Sequence, residues 1–285
     1  MIRSAYPHVR RCVLVTGCSS GIGLATAEVL RLRGWHVIPT ARHDADISML
    51  FNKGFKPVRL DLADASSVEK AVAAAVELSE GGIGALVNNA GVAQYGAVED
   101  LTRTALERQF AVNTIGVQDL TNRLIPHFRA QGGGRIINVS SVYGRVTAPM
   151  VGAYCASKYA MEALSDAMRV ELRAEGIAVC LIEPGPILSE FRNKSADHST
   201  AQIQMDGGRY GEKYRRRMER AKKPQQQDFF TKPPEAVAIK IAHALEVKRP
   251  GSRYCVTIPA YAGAFLRRFA PDCLLDRLLV NSARV

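Results

Sequence analysis

Short apolar runs alternate along the chain with longer stretches in which apolar residues recur every three or four positions. The first run, Cys12–Thr16, predicts a strand. Gly21–Arg33 behind it predicts a helix with Ile22, Ala25, Val29 and Leu32 on one face. Further strands are predicted at Trp35–Ala41, Pro57–Leu60, Ile83–Val87, Arg135–Val139, Ile177–Ile182 and Arg253–Ile258. Helices are expected over Ser66–Leu78 with Ser66 as N-cap, from about Thr104 to Arg129 with a break near Gln109, over Tyr154–Glu175 and over Pro234–Leu245. The strand runs are rich in Val, Ile and Leu with little alternation, as strands covered on both faces should be. Strand–helix–strand units of this length close by right-handed crossovers into a parallel sheet. The expected fold is α/β, one doubly wound Rossmann domain over 1–285, with helices on both faces and neither repeat nor linker.

The pattern lapses twice. From Leu188 to Phe230 the chain is polar, rich in Lys, Arg and Gln, and weakly periodic. From Tyr261 to Leu279 it turns amphipathic, with Phe265, Leu266, Phe269, Leu274, Leu275, Leu278 and Leu279 as apolar members and Arg267, Arg268 and Arg277 among the polar ones.

Composition narrows the picture little. The 285 residues are 47% hydrophobic and 23% charged, ordinary for a soluble protein. A net charge of +11 raises the question of nucleic acid. The excess gathers in Arg215-Arg216-Arg217 with Arg220, Lys222 and Lys223, and in Arg267-Arg268. No zinc-finger, RRM or helix-turn-helix signature accompanies it, so a solvated basic face that helps attract an anionic cofactor is the expectation. The six cysteines form no C-x-x-C pair and read as reduced core thiols, Cys155 among them. The histidines lack ligand spacing, so no metal is expected. No apolar leader or bilayer-length segment stands out, and a cytoplasmic protein is expected.

The chemistry gathers at particular points. Val13-Leu14-Val15-Thr16-Gly17-Cys18-Ser19-Ser20-Gly21-Ile22-Gly23 closes a strand and opens a helix. Glycines there let the backbone approach a pyrophosphate, and the helix N-terminus offers N–H groups and a positive dipole end. Gly17, Ser19, Ser20, Gly21, Ile22 and Gly23 are therefore expected at a dinucleotide. At the end of the second strand Thr40-Ala41-Arg42 carries no carboxylate for ribose hydroxyls. Arg42 can instead pair with a 2′-phosphate, which favours NADP(H). Asp44 is the alternative ribose partner.

The glycine spacing T-G-x-x-x-G-x-G resembles the short-chain dehydrogenase/reductase family. Asn88-Asn89-Ala90-Gly91, Asn113, Ser141, Tyr154-Cys155-Ala156-Ser157-Lys158 and Pro184-Gly185 continue the resemblance in the family's order, over roughly Cys12 to Phe191. Cys18-Ser19-Ser20, Glu183-Pro184-Gly185-Pro186-Ile187 and Arg253-Tyr254-Cys255-Val256-Thr257 bring it closer to the 17β-hydroxysteroid-dehydrogenase-like group and an NADP-dependent aldehyde reductase within it. The resemblance implies a seven-stranded sheet and a nucleotide-binding and catalytic core over 12–185. It places Asp61 and Leu62 at the adenine side, and Asn89, Ala90, Gly91, Pro184, Gly185, Ile187 and Ser189 at the cofactor. Ser189 stands where the family usually has threonine. The resemblance also implies substrate at the C-terminal strand edges under a lid, assigned to 188–230, and it allows a homo-oligomer.

Hydride transfer to a carbonyl requires a nearby proton donor matched to the working pH. Tyr154 and Lys158 stand four apart and share a helix face. A cation about 5 Å away at an effective dielectric of about 20 is worth roughly 3 kcal/mol to the phenolate, or about two pKa units downward. Ser141 is expected to hold the substrate oxygen. The resemblance implies that Asn113 anchors a water behind the lysine, and catalysis by Asn113, Ser141, Tyr154 and Lys158. Ala93, Tyr95, Val142, Tyr143, Met150, Pro186 and Ile187 are expected to line a pocket for a small apolar aldehyde, ketone or alcohol. The alternatives are a non-catalytic NADP-binding sensor of the same fold and an NAD-dependent alcohol or hydroxysteroid dehydrogenase. The amphipathic tail, 261–279, is expected to be covered by protein, on its own domain or a second subunit, rather than by lipid.

Overall fold

The computed structural model describes residues 6, 7, 9–200, 208–222 and 229–284. Seven parallel strands, β1 (Cys12–Val15), β2 (His36–Ala41), β3 (Val58–Arg59), β4 (Ala85–Asn88), β5 (Gly134–Val139), β6 (Ile177–Glu183) and β7 (Arg253–Cys255), form one sheet in the order β3-β2-β1-β4-β5-β6-β7. Leu14 pairs with both Ile38 and Leu86, and Leu86 in turn with Ile136. Successive residues of a strand face opposite sides. Leu14, Leu86 and Ile136 pack with helices α3 (Ala65–Leu78), α5 (Val117–Ala130) and α6 (Gly152–Glu171) through Val72, Leu120, Phe128 and Met161. Val13, Val15, Val87 and Ile137 pack on the other side with α1 (Gly21–Leu32), α2 (Asp44–Asn52) and α9 (Pro234–Glu246) through Leu30, Leu50 and Ile241. Two covered faces explain why the strands show no alternation. The single-domain, doubly wound fold is the one expected.

Several local expectations need correction. The N-cap of α3 is Asp64, whose carboxylate accepts the Ser66 N–H at 2.9 Å, rather than Ser66 itself. Helix α2 escaped the periodicity because it is short and buries only Leu50 fully. The long stretch does break close to Gln109 as expected, after α4 (Arg103–Phe110); what the sequence did not show is the π-helical turn, Ala111–Gly116, before α5 resumes. Gly116 is required there, since a Cβ would lie 1.9 Å from the Leu62 carbonyl oxygen. The last strand ends at Cys255, and α10 (Ile258–Phe269) begins where strand was expected to continue. The tail is two helices: Pro271 separates α10 from α11 (Asp272–Arg284).

The polar segment is also helical, as α7 (Phe191–Thr200) and α8 (Gly211–Lys222). Its parts 201–207 and 223–228, Lys223 included, and the side chains of Arg220 and Lys222 lie outside the described residues. Its periodicity is carried largely by serines, a glycine and a tyrosine, which hydropathy counts weakly or not at all. Ser195, Ala196 and Ser199 are buried on α7, and Gly211, Tyr214 and Met218 on α8. Both helices are pinned to the loop after β4. Ser199 Oγ accepts the Tyr95 N–H at 2.8 Å, and the Tyr214 hydroxyl accepts the Ala97 N–H at 3.0 Å and donates to Asp100. No helix among the described residues is long and apolar enough to cross a membrane.

Candidate active site

The strand order reverses between β1 and β4, which opens a crevice at their C-terminal ends. A cleft of about 1010 Å³ occupies it. At one end Gly17 adopts φ +72°, and a Cβ there would lie 2.8 Å from Ala90 Cα. A Cβ on Gly23 would lie 2.1 Å from the Gly17 carbonyl oxygen and 2.6 Å from Asn89 Nδ2. Thr16 Oγ1 accepts the N–H groups of Asn89 and Ala90 at 2.9 Å each. Asn89 Nδ2 donates back to the carbonyls of Thr16 at 2.9 Å and Gly17 at 3.2 Å. The loop is thus locked to the end of β4. Ser20 caps α1 without a side-chain bond to it, and the first turn holds no acid, so its N–H groups suit an anion. Lys194 of α7 adds positive charge, donating to Ser20 Oγ at 3.1 Å while paired with Glu190 at 3.2 Å.

At the end of β2 the exposed Arg42 borders the cleft and donates to His43 Nε2 from Nε at 3.2 Å. Asp44 pairs with Arg59 at 2.8 Å and does not border the cleft, whereas Asp46 does. Asp61 accepts the Ala63 N–H at 3.0 Å, shaping the turn into α3, and borders the cleft with Leu62. Ser19, Ser20, Gly21, Ile22, Gly91, Pro184, Gly185, Ile187 and Ser189 border it too. Gly23 lies behind the wall, where it allows the loop to close.

At the other end α6 presents Tyr154 and Lys158 on one face. The Tyr154 ring sits edge-on to Tyr143, centroids 6.3 Å apart, and 5.9 Å from Phe191. Lys158 Nζ lies 5.9 Å from the Tyr154 ring centroid and donates to the Val139 carbonyl at 2.7 Å. Burial pushes Lys158 down to about 8, opposed by the Glu162 carboxylate one turn on. Burial also pushes the Tyr154 phenol up, with the Ser141 hydroxyl pulling the other way. The direction is opposite to that expected from the sequence. Desolvation sets that direction: Tyr143 and Phe191 lie against the ring, and Lys158 is itself desolvated and turned to a backbone carbonyl. Cys155 is 1% exposed with its thiol raised by burial, as a packed thiol would be.

Asn113 does not border the cleft. It is buried in the π turn, where Oδ1 accepts the Val92 N–H at 2.9 Å and Nδ2 donates to the Val92 carbonyl at 2.9 Å and to Ser157 Oγ at 3.1 Å. Ser157 Oγ donates in turn to the Tyr154 carbonyl at 2.8 Å. Asn113 therefore braces the loop after β4 against the helix that carries Tyr154 and Lys158. Gln109 makes a parallel brace, accepting the Gln94 N–H at 2.7 Å and donating to Ser157 Oγ at 3.2 Å.

A family model for the short chain dehydrogenases matches residues 11–200. The chain belongs to this family. This short-chain dehydrogenase is 39% identical over 271 residues to an uncharacterized oxidoreductase of Escherichia coli K12, YbbO, across 95% of its own length and 94% of that protein. It is 33% identical over 282 residues to an NADPH-dependent 3-dehydrocapnine reductase of Ornithobacterium rhinotracheale, across 96% and 98%. It superposes on a short-chain dehydrogenase structure from Streptomyces avermitilis with a TM-score of 0.75 at 28% identity, over 94% of each chain. As a member of the family it is an oxidoreductase of alcohol or carbonyl groups with a nicotinamide-binding fold.

Of the apolar residues expected at the substrate end of this dehydrogenase, Ala93, Tyr95, Val142, Tyr143, Pro186 and Ile187 border the cleft. Met150 does not; it packs with Tyr210 against Ala97 and Tyr214. Residues of the two irregular segments complete the wall: Phe191, Arg192, Ser195 and Arg217 from α7 and α8, and Gly263, Leu266 and Leu275 from α10 and α11. Sequence reasoning did not assign these to the wall: in the polar helices a residue facing a cleft and one facing water are alike, and in the amphipathic tail a leucine facing a cleft and one facing the core are alike.

Proposed function

We propose that the protein is an NADP(H)-dependent oxidoreductase that moves hydride between nicotinamide and an apolar aldehyde, ketone or secondary alcohol, with Tyr154 as general acid and base. The observation that carries this reading is the convergence of Tyr154, Lys158 and Ser141 on an aromatic wall, at the far end of a cleft whose near end is a glycine-built cradle. That cradle fits a dinucleotide: Gly17 and Gly23 leave no room for a side chain, and no acid competes for the open N–H groups of α1. Gly17, Ser19, Ser20, Gly21 and Ile22 would hold the pyrophosphate, Asp61 and Leu62 the adenine side, and Ala90, Gly91, Pro184, Gly185, Ile187 and Ser189 the nicotinamide half. When bound, the cofactor supplies or takes up the hydride.

The chain's own residues move the proton and place the oxygen. Ser141 holds the carbonyl oxygen and Tyr154 donates its proton as the alkoxide forms. Lys158 is an ammonium below about pH 8, and as such it favours the phenolate that remains. Asn113 positions the helix that carries both. The preference for NADP(H) rests on Arg42 at the cleft with Asp44 turned away to Arg59; the NADPH-dependent relative points the same way. An NAD-linked reading has Asp46 in its favour, since that carboxylate borders the same end of the cleft. We assign the lid to 188–230, with α7 and α8 roofing the substrate end.

The test is Tyr154→Phe. It should lower kcat for aldehyde reduction by about 10²–10⁴-fold while NADPH binding, followed by fluorescence, stays within a few-fold. Retention of more than about a tenth of kcat would overturn the assignment, and wild-type protein that binds NADPH but turns over no carbonyl would favour a sensor.

A further inference from the structure

The substrate end of the cleft holds two cations that the proposed chemistry does not use. Arg217 lies on α8 one residue before the buried Met218, and its guanidinium sits 4.5 Å from the centroid of the Tyr95 ring. Arg192 opens α7, next to Phe191, which packs on Tyr154. Both arginines bear on the same two phenols, Tyr95 and Tyr143, and pull them down against burial. Both border the cleft with these two rings, and Tyr143 stands edge-on to Tyr154. Among the described residues no carboxylate pairs with either. Their neighbours behave differently: Arg216 pairs with Glu212 on the outer face of α8, and Lys194 pairs with Glu190 towards the cofactor end. Asp197 borders the cleft as the one acid on α7 or α8 to do so, so positive charge still prevails at this wall.

An arginine laid on an aromatic face keeps its N–H edges available. Arg217 has the neutral Tyr95 phenol as a hydrogen-bond partner, which leaves its charge uncompensated at the cleft wall, whereas a planar anion meets the guanidinium fork with paired, charge-assisted hydrogen bonds. The cofactor's own phosphates belong at the other end, with Arg42, Lys194 and the α1 N-terminus.

We infer that the substrate is an amphipathic carbonyl or alcohol bearing an anionic group, a carboxylate, sulfonate or phosphate ester, that docks on Arg217 and Arg192. Its apolar part lies along Tyr95, Tyr143 and Phe191, and its reacting carbon faces Tyr154. This inference rests on the reductase reading above and names the substrate class for that site.

Two measurements separate the inference from that reading. The first compares an ω-oxo fatty acid with its methyl ester as substrates for NADPH oxidation, in wild type and in Arg217→Met. In wild type the acid should exceed the ester in kcat/KM by about tenfold or more, and the excess should shrink as salt rises. R217M should bring the acid-to-ester ratio of kcat/KM close to one by lowering the acid far more than the ester. Acid and ester used equally by wild type would overturn the inference and leave the reductase reading standing; this comparison needs no variant. A loss in R217M shared equally by acid and ester would overturn it too.

The second measurement uses no turnover. Decanoate, decanesulfonate, decyl phosphate and decanol are titrated calorimetrically into wild type and R217M. At least one of the three anions should bind about tenfold more tightly than decanol, in an Arg217-dependent way, and their ranking identifies the anion. Equal affinity for all four would overturn the inference. Arg217-dependent anion binding without turnover of any carbonyl would support the anion site and defeat the reductase reading.

Discussion

The two ends of the cleft are built from different material. At the nucleotide end the wall is main chain held in place by two short side chains: a left-handed Gly17, a Gly23 packed on a carbonyl oxygen, and a β4 end tied to the loop through Thr16 Oγ1 and Asn89 Nδ2. At the substrate end the contacts are side chains, and the wall is completed by four helices from two separate stretches, α7 and α8, and α10 and α11. A dinucleotide is the same for every enzyme that uses it, and a backbone cradle can be fixed by a few residue types in a tight spacing. A substrate wall needs only a surface of the right shape and charge, which many sequences supply. The first end tolerates no change of volume and the second should tolerate many.

The sharpest way to break this comparison is Gly23→Ala. The added Cβ meets the Gly17 backbone oxygen at 2.1 Å, which cannot swing aside as the Asn89 amide at 2.6 Å could. Overpacking of this kind costs about 1–3 kcal/mol or more, and relief by opening the loop should weaken NADPH by roughly 10–100-fold. Gly251→Ala is the control, since its nearest heavy atoms are 3.5 Å or further away and it should bind NADPH as wild type does. Equal affinity in both variants, read by fluorescence titration, would mean that the loop is not the cradle it resembles.

Arg42→Ala tests the same end through charge. A charged hydrogen bond worth about 1.5–3 kcal/mol implies a loss of roughly 10–100-fold in NADPH affinity, with NADH little changed. If both cofactors weaken together, Arg42 is structural, and Asp46 becomes the residue to test.

The third test lies where the two ends meet, at Lys158. Its folded pKa of about 8 is well below the ordinary lysine value of 10.5. It is an ammonium below pH 8 and an amine above. Carbonyl reduction that needs the ammonium should therefore hold steady below about pH 8 and lose about tenfold in kcat/KM per pH unit above it. Stability moves the other way. The folded chain holds this proton less tightly than the unfolded chain, so the lysine's contribution improves as pH rises from about 8 towards 10.5. A profile flat from pH 7 to 10 would remove Lys158 from the chemistry.

The same division explains what could be read from the amino-acid order. The strands, the glycine loop and the Tyr154/Lys158 pair were legible because each rests on local spacing: apolar runs covered on both faces, three glycines at a strand–helix turn, two side chains four apart on one helix. The brace by Asn113 was not legible, because it depends on a π turn that brings the side chain to the Val92 backbone and to Ser157. The upward push on Tyr154 was not legible either, because it comes from burial in the folded site, where Tyr143 and Phe191 lie against the ring. Helices α7 and α8 escaped notice because serines, a glycine and a tyrosine make up most of their buried faces, with Ala196 and Met218 as the apolar members. In Arg215-Arg216-Arg217 three identical letters have different surroundings, and only Arg217 reaches the cleft.

The smallest expected effect on chemistry belongs to the outer face of the tail. Helix α10 turns Gly263 towards Val142, where a Cβ would lie 2.9 Å from Val142 Cγ2, and α11 buries Leu275. This inner side answers the expectation that the tail packs on its own domain. The outer side is left over: Ile258, Tyr261, Phe265 and Phe269 form a stripe along α10 and are 44%, 56%, 63% and 66% exposed. A contiguous apolar stripe of this kind marks a contact surface. Arg267 beside it is already paired with Asp272 at 2.8 Å, which weakens the case for an anionic bilayer. A second copy of the chain is the expected cover. The double substitution Phe265→Ser with Phe269→Ser should then leave kcat/KM within about twofold, since neither ring borders the cleft. It should also lower the mass in solution measured by sedimentation. Wild type that is already a monomer and pellets with phosphatidylserine vesicles, while the double variant does not, would assign the stripe to lipid instead.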